Sequence, residues 1–234
     1  MEIAVVNTRD RLALRYHALN MHTQVETINA FWADLSESLD GLSGVNLEQL
    51  AEDGERLLNG FRASLKAIDS NLTFHFERSK EEGPVELVFG CDGYPESIHN
   101  VLTLVGAAPA FNGIEIRAFN DRHDPIPSMV NLGGELCSIN DYWCSLRNID
   151  GKLELAIYME DAPTVLEMDP RVEAVMILLD ALIGEYEIMT RIWALDWYDL
   201  PACPVDFGLI PLADLRAQFD QIKSRVQPIG IKLH

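Results

Sequence analysis

The sequence predicts an α+β fold: a mostly antiparallel sheet from two ββαβ-like units with helices on one face, plus an N-terminal helical pair. Three observations carry this. Apolar residues recur at helical spacing from Val25 to Ile68, then switch to alternation. The alternating segments are cut by turn signals in the order ββαβ, twice. Finally, 48% of the 234 residues are hydrophobic, enough for a buried core, and no apolar run is long enough to span a bilayer.

The elements follow in order. Residues 1–20 have mixed patterning. Thr23 can cap a first helix whose face is Val25, Ile28, Phe31, Trp32, Leu35 and Leu39, ended by Gly41 and Gly44. Asn46, with Gln49 three residues on, caps a second, with a stripe of Leu47, Leu50, Leu57, Leu58, Phe61, Leu65 and Ile68. Leu72, Phe74 and Phe76 alternate with polar neighbours and form a strand. After a charged turn over Ser79–Pro84, Val85–Cys91 is the next strand. Asp92-Gly93 is a turn, and Pro95 opens a helix that buries Ile98, Val101, Leu102 and Val105. Gly113–Phe119 is a strand, and Asn120–Pro127 a polar loop.

In the second half Glu135–Ile149 reads as extended, and Asp150-Gly151 as a hairpin turn with positive φ at both central residues. Leu153, Leu155, Ile157 and Met159 alternate after it. Asp169-Pro170 caps and opens a helix that buries Val172, Val175, Met176, Leu179, Leu182 and Ile183 and ends at Gly184. Glu185–Tyr198 reads as one long strand, apolar on both faces and therefore central. Pro211 starts a last helix. No Gly/Ser or Pro linker divides the chain after the helical arm. The expected organisation is thus 1–69 as a helical arm or hairpin and 70–234 as one packed α+β domain.

Composition bounds the function. Eighteen basic and 37 acidic residues give a net charge of −19, which disfavours direct nucleic-acid binding and binding to an anionic membrane surface. The N-terminus lacks a secretory core, and Cys91, Cys137, Cys144 and Cys203 lack disulfide or zinc spacing. The expected setting is cytoplasmic, with four reduced thiols, no metal and no cofactor. Gly-rich phosphate loops, nucleophile elbows and H-E-x-x-H are absent from the sequence.

Charge is concentrated. Residues 150–199 hold twelve acids against Lys152, Arg171 and Arg191, a net of −9. This stretch is expected to form a continuous acidic surface for a basic protein partner, with Glu185, Glu187, Asp196 and Asp199 as contact residues. Glu185 and Glu187 fall on one face if their segment is a strand, where paired carboxylates could also do acid/base work. The alternative is a small-molecule-binding domain or an enzyme, with a pocket beside the sheet at His75, Asp92 and His123. Asp121-Arg122-His123-Asp124 is the nearest thing to a catalytic cluster, but consecutive residues do not converge without help from elsewhere.

The segment Asn71–Leu215 resembles an uncharacterised bacterial family, classed as a domain of unknown function. The matching pieces are Leu72–Glu77, Glu86-Leu87-Val88 running into Asp92-Gly93, Ala107-Ala108-Pro109, Gly113–Phe119, Leu182–Glu187 and Gly208–Leu212. Ile114 stands where the family commonly has an aromatic residue. Some relatives carry a neighbouring domain similar to a ribonuclease E inhibitor. The resemblance carries over no established activity, and that association implies a binding role, inhibitor- or immunity-like.

Overall fold

The computed structural model describes residues 24–37, 47–77, 83–226 and 228–229, with backbone alone for 47–57 and 167. The expected caps at Thr23 and Asn46, the breaks at Gly41 and Gly44, and most of the turn after residue 78 lie outside these residues. The fold is α+β, and four of the six described strand ladders are antiparallel. The chain divides into two compact units, one of residues up to Asp92 with Ser97–Ala118, the other of Gly93–Glu96 with the residues from Phe119 onward. The division expected after residue 69 is therefore displaced to 118. The first sheet packs with the helical arm because its apolar face needs those helices to cover it.

In the first unit, helix α1 covers residues 24–37 and α2 is Leu47–Ile68. Strands β1 (Thr73–Glu77) and β2 (Val85–Gly90) pair antiparallel, and helix α3 (Ile98–Gly106) carries the chain to β3 (Ile114–Ala118), parallel to β2. Helix α1 buries Ile28, Phe31, Trp32 and Leu35 on one stripe, and α2 adds Phe61 and Leu65. Val25, expected on that stripe, is exposed. The rings of Phe31 and Trp32 stand edge-on to Phe89 at 6.0 and 5.5 Å, an arrangement favoured by the ring quadrupoles. Trp32 Nε1 donates to the Leu104 carbonyl (2.9 Å), which satisfies its buried polar atom. On α3 Leu104 is buried and Leu102 exposed, one turn position away from the expected stripe. Glu86, buried on β2, is paired with Arg117 of β3.

In the second unit, β4 (Met129–Leu132) and β5 (Glu135–Ser138) form a ladder of their own. Strands β6 (Trp143–Ile149) and β7 (Lys152–Met159) form the expected hairpin, with Asp150 at φ 53° and Gly151 at φ 83°. Helix α4 (Pro170–Ile183) follows, with Asp169 Oδ1 accepting from the Arg171 N–H and Pro170 in its first turn. A short helix α5 (Glu185–Arg191) leads to β8 (Ile192–Asp199), parallel to β7. Strand β9 (Ile210–Pro211) pairs with β6, and helix α6 (Leu215–Ile222) closes the core. Both expected ββαβ units are present, each with its own sheet. The core is built from Leu153, Leu155, Ile157 and Met159 of β7, Val175, Leu178, Leu179 and Leu182 of α4, and Leu215 and Phe219 of α6.

Two expectations for this unit are corrected. The extended reading of 135–149 is broken by a 3-10 turn over Ile139–Asp141, where Ser138 and Asp141 make a reciprocal capping box. The long strand Glu185–Tyr198 begins only at Ile192. Gly184, at φ 90°, turns the chain out of α4, and Glu185 and Glu187 then occupy the first turn of α5 with Arg191 at its end. That order of charges suits the helix dipole. Strand β8 is not central: it ends the order β8-β7-β6-β9.

Candidate functional site

The residues expected to carry function fall at three places. The first is the junction of α4 and α5. As i and i+2 on a helix, Glu185 and Glu187 point in different directions, unlike on a strand. Glu185 Oε2 accepts from Asn120 N (2.9 Å) and Nδ2 (3.0 Å), and the Glu185 N–H donates to Asn120 O (3.0 Å). Glu187 is paired with Arg191 one turn on, and Arg191 also donates to the Lys223 and Val226 carbonyls. Asp180, on the last turn of α4, is half-buried, with its carboxyl beside Glu185. Burial, then the Glu185 charge, pushes its pKa up to about 7, against a hydrogen bond from Asn120. These carboxylates serve the junction itself.

The loop after β3 explains Asp121–Asp124. Helix α4 has no basic residue in its last turn, and its final carbonyls are met from outside. Arg122 Nε donates to Ile183 O (3.0 Å), while its Nη1 binds both oxygens of Asp220 (2.9 and 3.0 Å). Arg216 donates to Leu182 O (2.8 Å), Ala181 O (2.6 Å) and His123 O (2.7 Å), and the His123 N–H donates to Ala181 O (2.9 Å). Two guanidinium groups thus neutralise the negative end of the helix dipole. Sequence reasoning missed both arginines as capping groups. The available signal was the missing basic residue at the end of α4.

The second place is the expected pocket, whose three residues are divided between the two units. His75 lies on β1, half exposed, with Nε2 3.9 Å from Glu77. Asp92 is exposed in the turn after β2, at φ 50°. His123 is exposed in the other unit. A crevice in the first unit is lined by Phe31, Leu35, Phe61, Phe74, Phe76, Leu87 and Phe89, none of them among the three, and is too narrow to hold water. It is a feature of apolar packing.

The third place is the four-stranded sheet. Its inner face (Leu146, Leu155, Ile157, Leu195 and Trp197) packs against α4 and α6. The register then puts on the outer face Trp143, Ser145 and Arg147 of β6, Glu154, Ala156 and Tyr158 of β7, and Ala194, Asp196 and Tyr198 of β8. Trp143, Tyr158 and Tyr198 lie directly opposite one another in one row, and the two tyrosine rings stack at 5.4 Å. Tyr198 is 46% exposed and Trp193, with Lys152 Nζ 3.5 Å over its ring, 53% exposed. Arg147 pairs with Glu154 (3.6 Å). Asp196 is exposed on the same face. Asp199, at the strand end, accepts from the Ala162 N–H (2.8 Å).

Of the four expected contact acids, Asp196 alone is presented from this face. Several other acids of the stretch are matched within the unit. Asp169 is held below the usual carboxylate range by its hydrogen bonds from Arg171, and Glu154 is paired as above. The four cysteines form no disulfide; Cys91, Cys137 and Cys144 are buried and Cys203 is exposed.

No family model, no curated protein and no solved structure matches the chain. The resemblance noted above therefore rests on its motifs alone. No described helix is long and apolar enough to cross a membrane.

Proposed function

We infer that the protein works by protein–protein recognition and that the outer face of β6, β7 and β8 is its contact surface. The observation that carries this is the aromatic row Trp143–Tyr158–Tyr198, in register across a sheet face whose other side holds the unit's helices. Aromatic side chains at the surface give large contact area at low entropic cost and are enriched at the centres of interfaces. The row is bordered by Asp196 and by the Arg147–Glu154 pair, a polar rim around an apolar middle. The partner is basic. With a net charge of −19, long-range attraction speeds its encounter, while the aromatic row and Asp196 fix the register. An inhibitor- or immunity-like role, acting in the cytoplasm, is the form of recognition proposed.

The test is affinity capture from native cell extract with the wild-type chain and a Tyr158→Ser/Tyr198→Ser variant, at low and high salt. The expected result is a partner held by the wild type, weakened by salt, and lost from the variant while its circular dichroism is unchanged. Equal capture by both forms would remove this face from the function.

A further inference from the structure

The outer face has an open side. Among the described residues β8 pairs with β7 alone, so one row of its backbone N–H and C=O groups meets no strand. Edges of this kind template the addition of another strand, and proteins commonly blunt them by short length, lysine, proline or a bulge. Strand β8 is eight residues long and contains neither lysine nor proline. Its register irregularity lies at its beginning, opposite Leu153 and Glu154, which leaves Ala194–Asp199 regular.

The side chains on this edge state what can be added. Tyr198 ends the aromatic row. Asp196 ends the next row, Ser145–Ala156–Asp196, which offers it no cation. Among the described residues no ion pair neutralises it, in contrast to Glu154, Asp169 and Glu187. A strand laid along β8 would place one residue directly opposite Asp196, with Cβ atoms about 5 Å apart, and another opposite Tyr198 on the same face. Same-face neighbours on a strand are two residues apart. A second copy of this chain fits poorly: its β8 presents Asp196 and Asp199 and no basic residue, so the edge repels itself.

We propose that β8 takes an extended segment of a protein partner as an added strand, with Arg or Lys opposite Asp196 and an aromatic residue two positions away opposite Tyr198. This rests on the reading of the outer face as a recognition surface and adds the mode of binding to it. Backbone hydrogen bonds along the edge supply affinity, and the two outward side chains supply specificity.

The probe is the acetylated, amidated peptide Thr-Val-Arg-Val-Tyr-Val-Thr, titrated into the full chain while amide exchange is followed by NMR. Slowed exchange within residues 194–198 is expected. Replacing the peptide's Arg by Glu, or using Thr-Val-Arg-Tyr-Val-Val-Thr, which sends Arg and Tyr to opposite faces, should weaken binding about tenfold, the scale of one cross-strand pair lost and one mismatch gained. Asp196→Lys should weaken it similarly. Glu173→Lys, the same charge change on an exposed position of α4, should leave it unchanged apart from the weak long-range effect. Equal binding of the three peptides, equal effects of the two charge reversals, or β8 amides already protected on both sides in the free protein would each overturn the proposal. If the peptide fails while the Tyr158→Ser/Tyr198→Ser variant still loses its captured partner, strand addition falls and the surface stands. If capture is also insensitive to that variant, both fall.

Discussion

Asp180 should make this protein less stable as pH rises, and replacing it by asparagine should reverse that. The carboxyl is buried on the last turn of α4, beside the Glu185 carboxylate and within hydrogen-bond reach of Asn120. In the unfolded chain it titrates near 3.8; in the fold, burial and then Glu185 push it up to about 7. An acid raised in the fold keeps its proton where the unfolded chain has already lost it. Its contribution is therefore intact below about pH 4, declines between about 4 and 7, and is flat above. At about 1.4 kcal/mol for each tenfold change in proton affinity, the gap corresponds to about 4 kcal/mol. Asp180→Asn removes the ionisation and keeps the shape. Its amide still accepts from Asn120, and it offers N–H where the protonated acid offers O–H.

The variant should match the wild type near pH 4 and exceed it by about 4 kcal/mol at pH 8. Because the chain has two units, the assay should report this one: urea unfolding at a series of pH values, read by exchange of the α4 amides. Glu185→Gln is the companion. Removing the neighbouring charge should bring the decline in stability to lower pH, leaving the part due to burial. Parallel stability curves for wild type and Asp180→Asn from pH 4 to 8 would refute the reasoning.

Other expectations can be checked together. Gly151→Val should lower stability by about 1–3 kcal/mol in a thermal melt, entirely through backbone strain, since a Cβ there meets no atom within 4 Å but φ is +83°. Arg216→Met should cost about 1–3 kcal/mol, because the Leu182 and His123 carbonyls lose their donor and Ala181 O keeps that of the His123 N–H. In the native protein Cys203 should react fast with a thiol reagent and the three buried cysteines slowly, Cys144 most of all because burial, then Asp214, pushes its thiol up to about 12. Unfolded without reductant, the chain should titrate four thiols; fewer would reveal a disulfide.

What the sequence showed best was local. The Asp150-Gly151 hairpin, the Asp169-Pro170 helix start and the Gly184 stop are set by backbone chemistry within a few residues, and each stands where its signal lies. Buried stripes were legible where one helix face is covered, as in α1. On α4 the pattern was blurred because Ala174, Leu178 and Ala181 are buried as well, so the covered face is wide and only the side of Glu173 and Ile177 is open. Residues Glu185–Arg191 were misread for a related reason. Their apolar content suits either period, and the deciding contacts come from Asn120, 65 positions away. The candidate site was legible only in part. Asp196 could be named from composition, but the aromatic row needs the register of three strands, two of them joined through α4 and α5.

The −9 charge of residues 150–199 shows why net charge and surface charge differ as arguments. Charge imbalance is a property of a segment, whereas a recognition surface depends on where each carboxylate points and what meets it. Glu154, Asp169 and Glu187 meet arginines; Glu185 meets an asparagine; Asp180 is driven inward, where it favours its proton. Their ion pairs and hydrogen bonds shape the second unit, and little of their charge remains local and directional. The far field survives all the same, because pairing within the unit redistributes charge without changing the total of −19. The protein should therefore attract basic partners from a distance through its total charge and select among them at short range through Asp196 and the aromatic row. High salt should slow association much more than it speeds dissociation, and Asp196→Lys should do the reverse, raising the dissociation rate most.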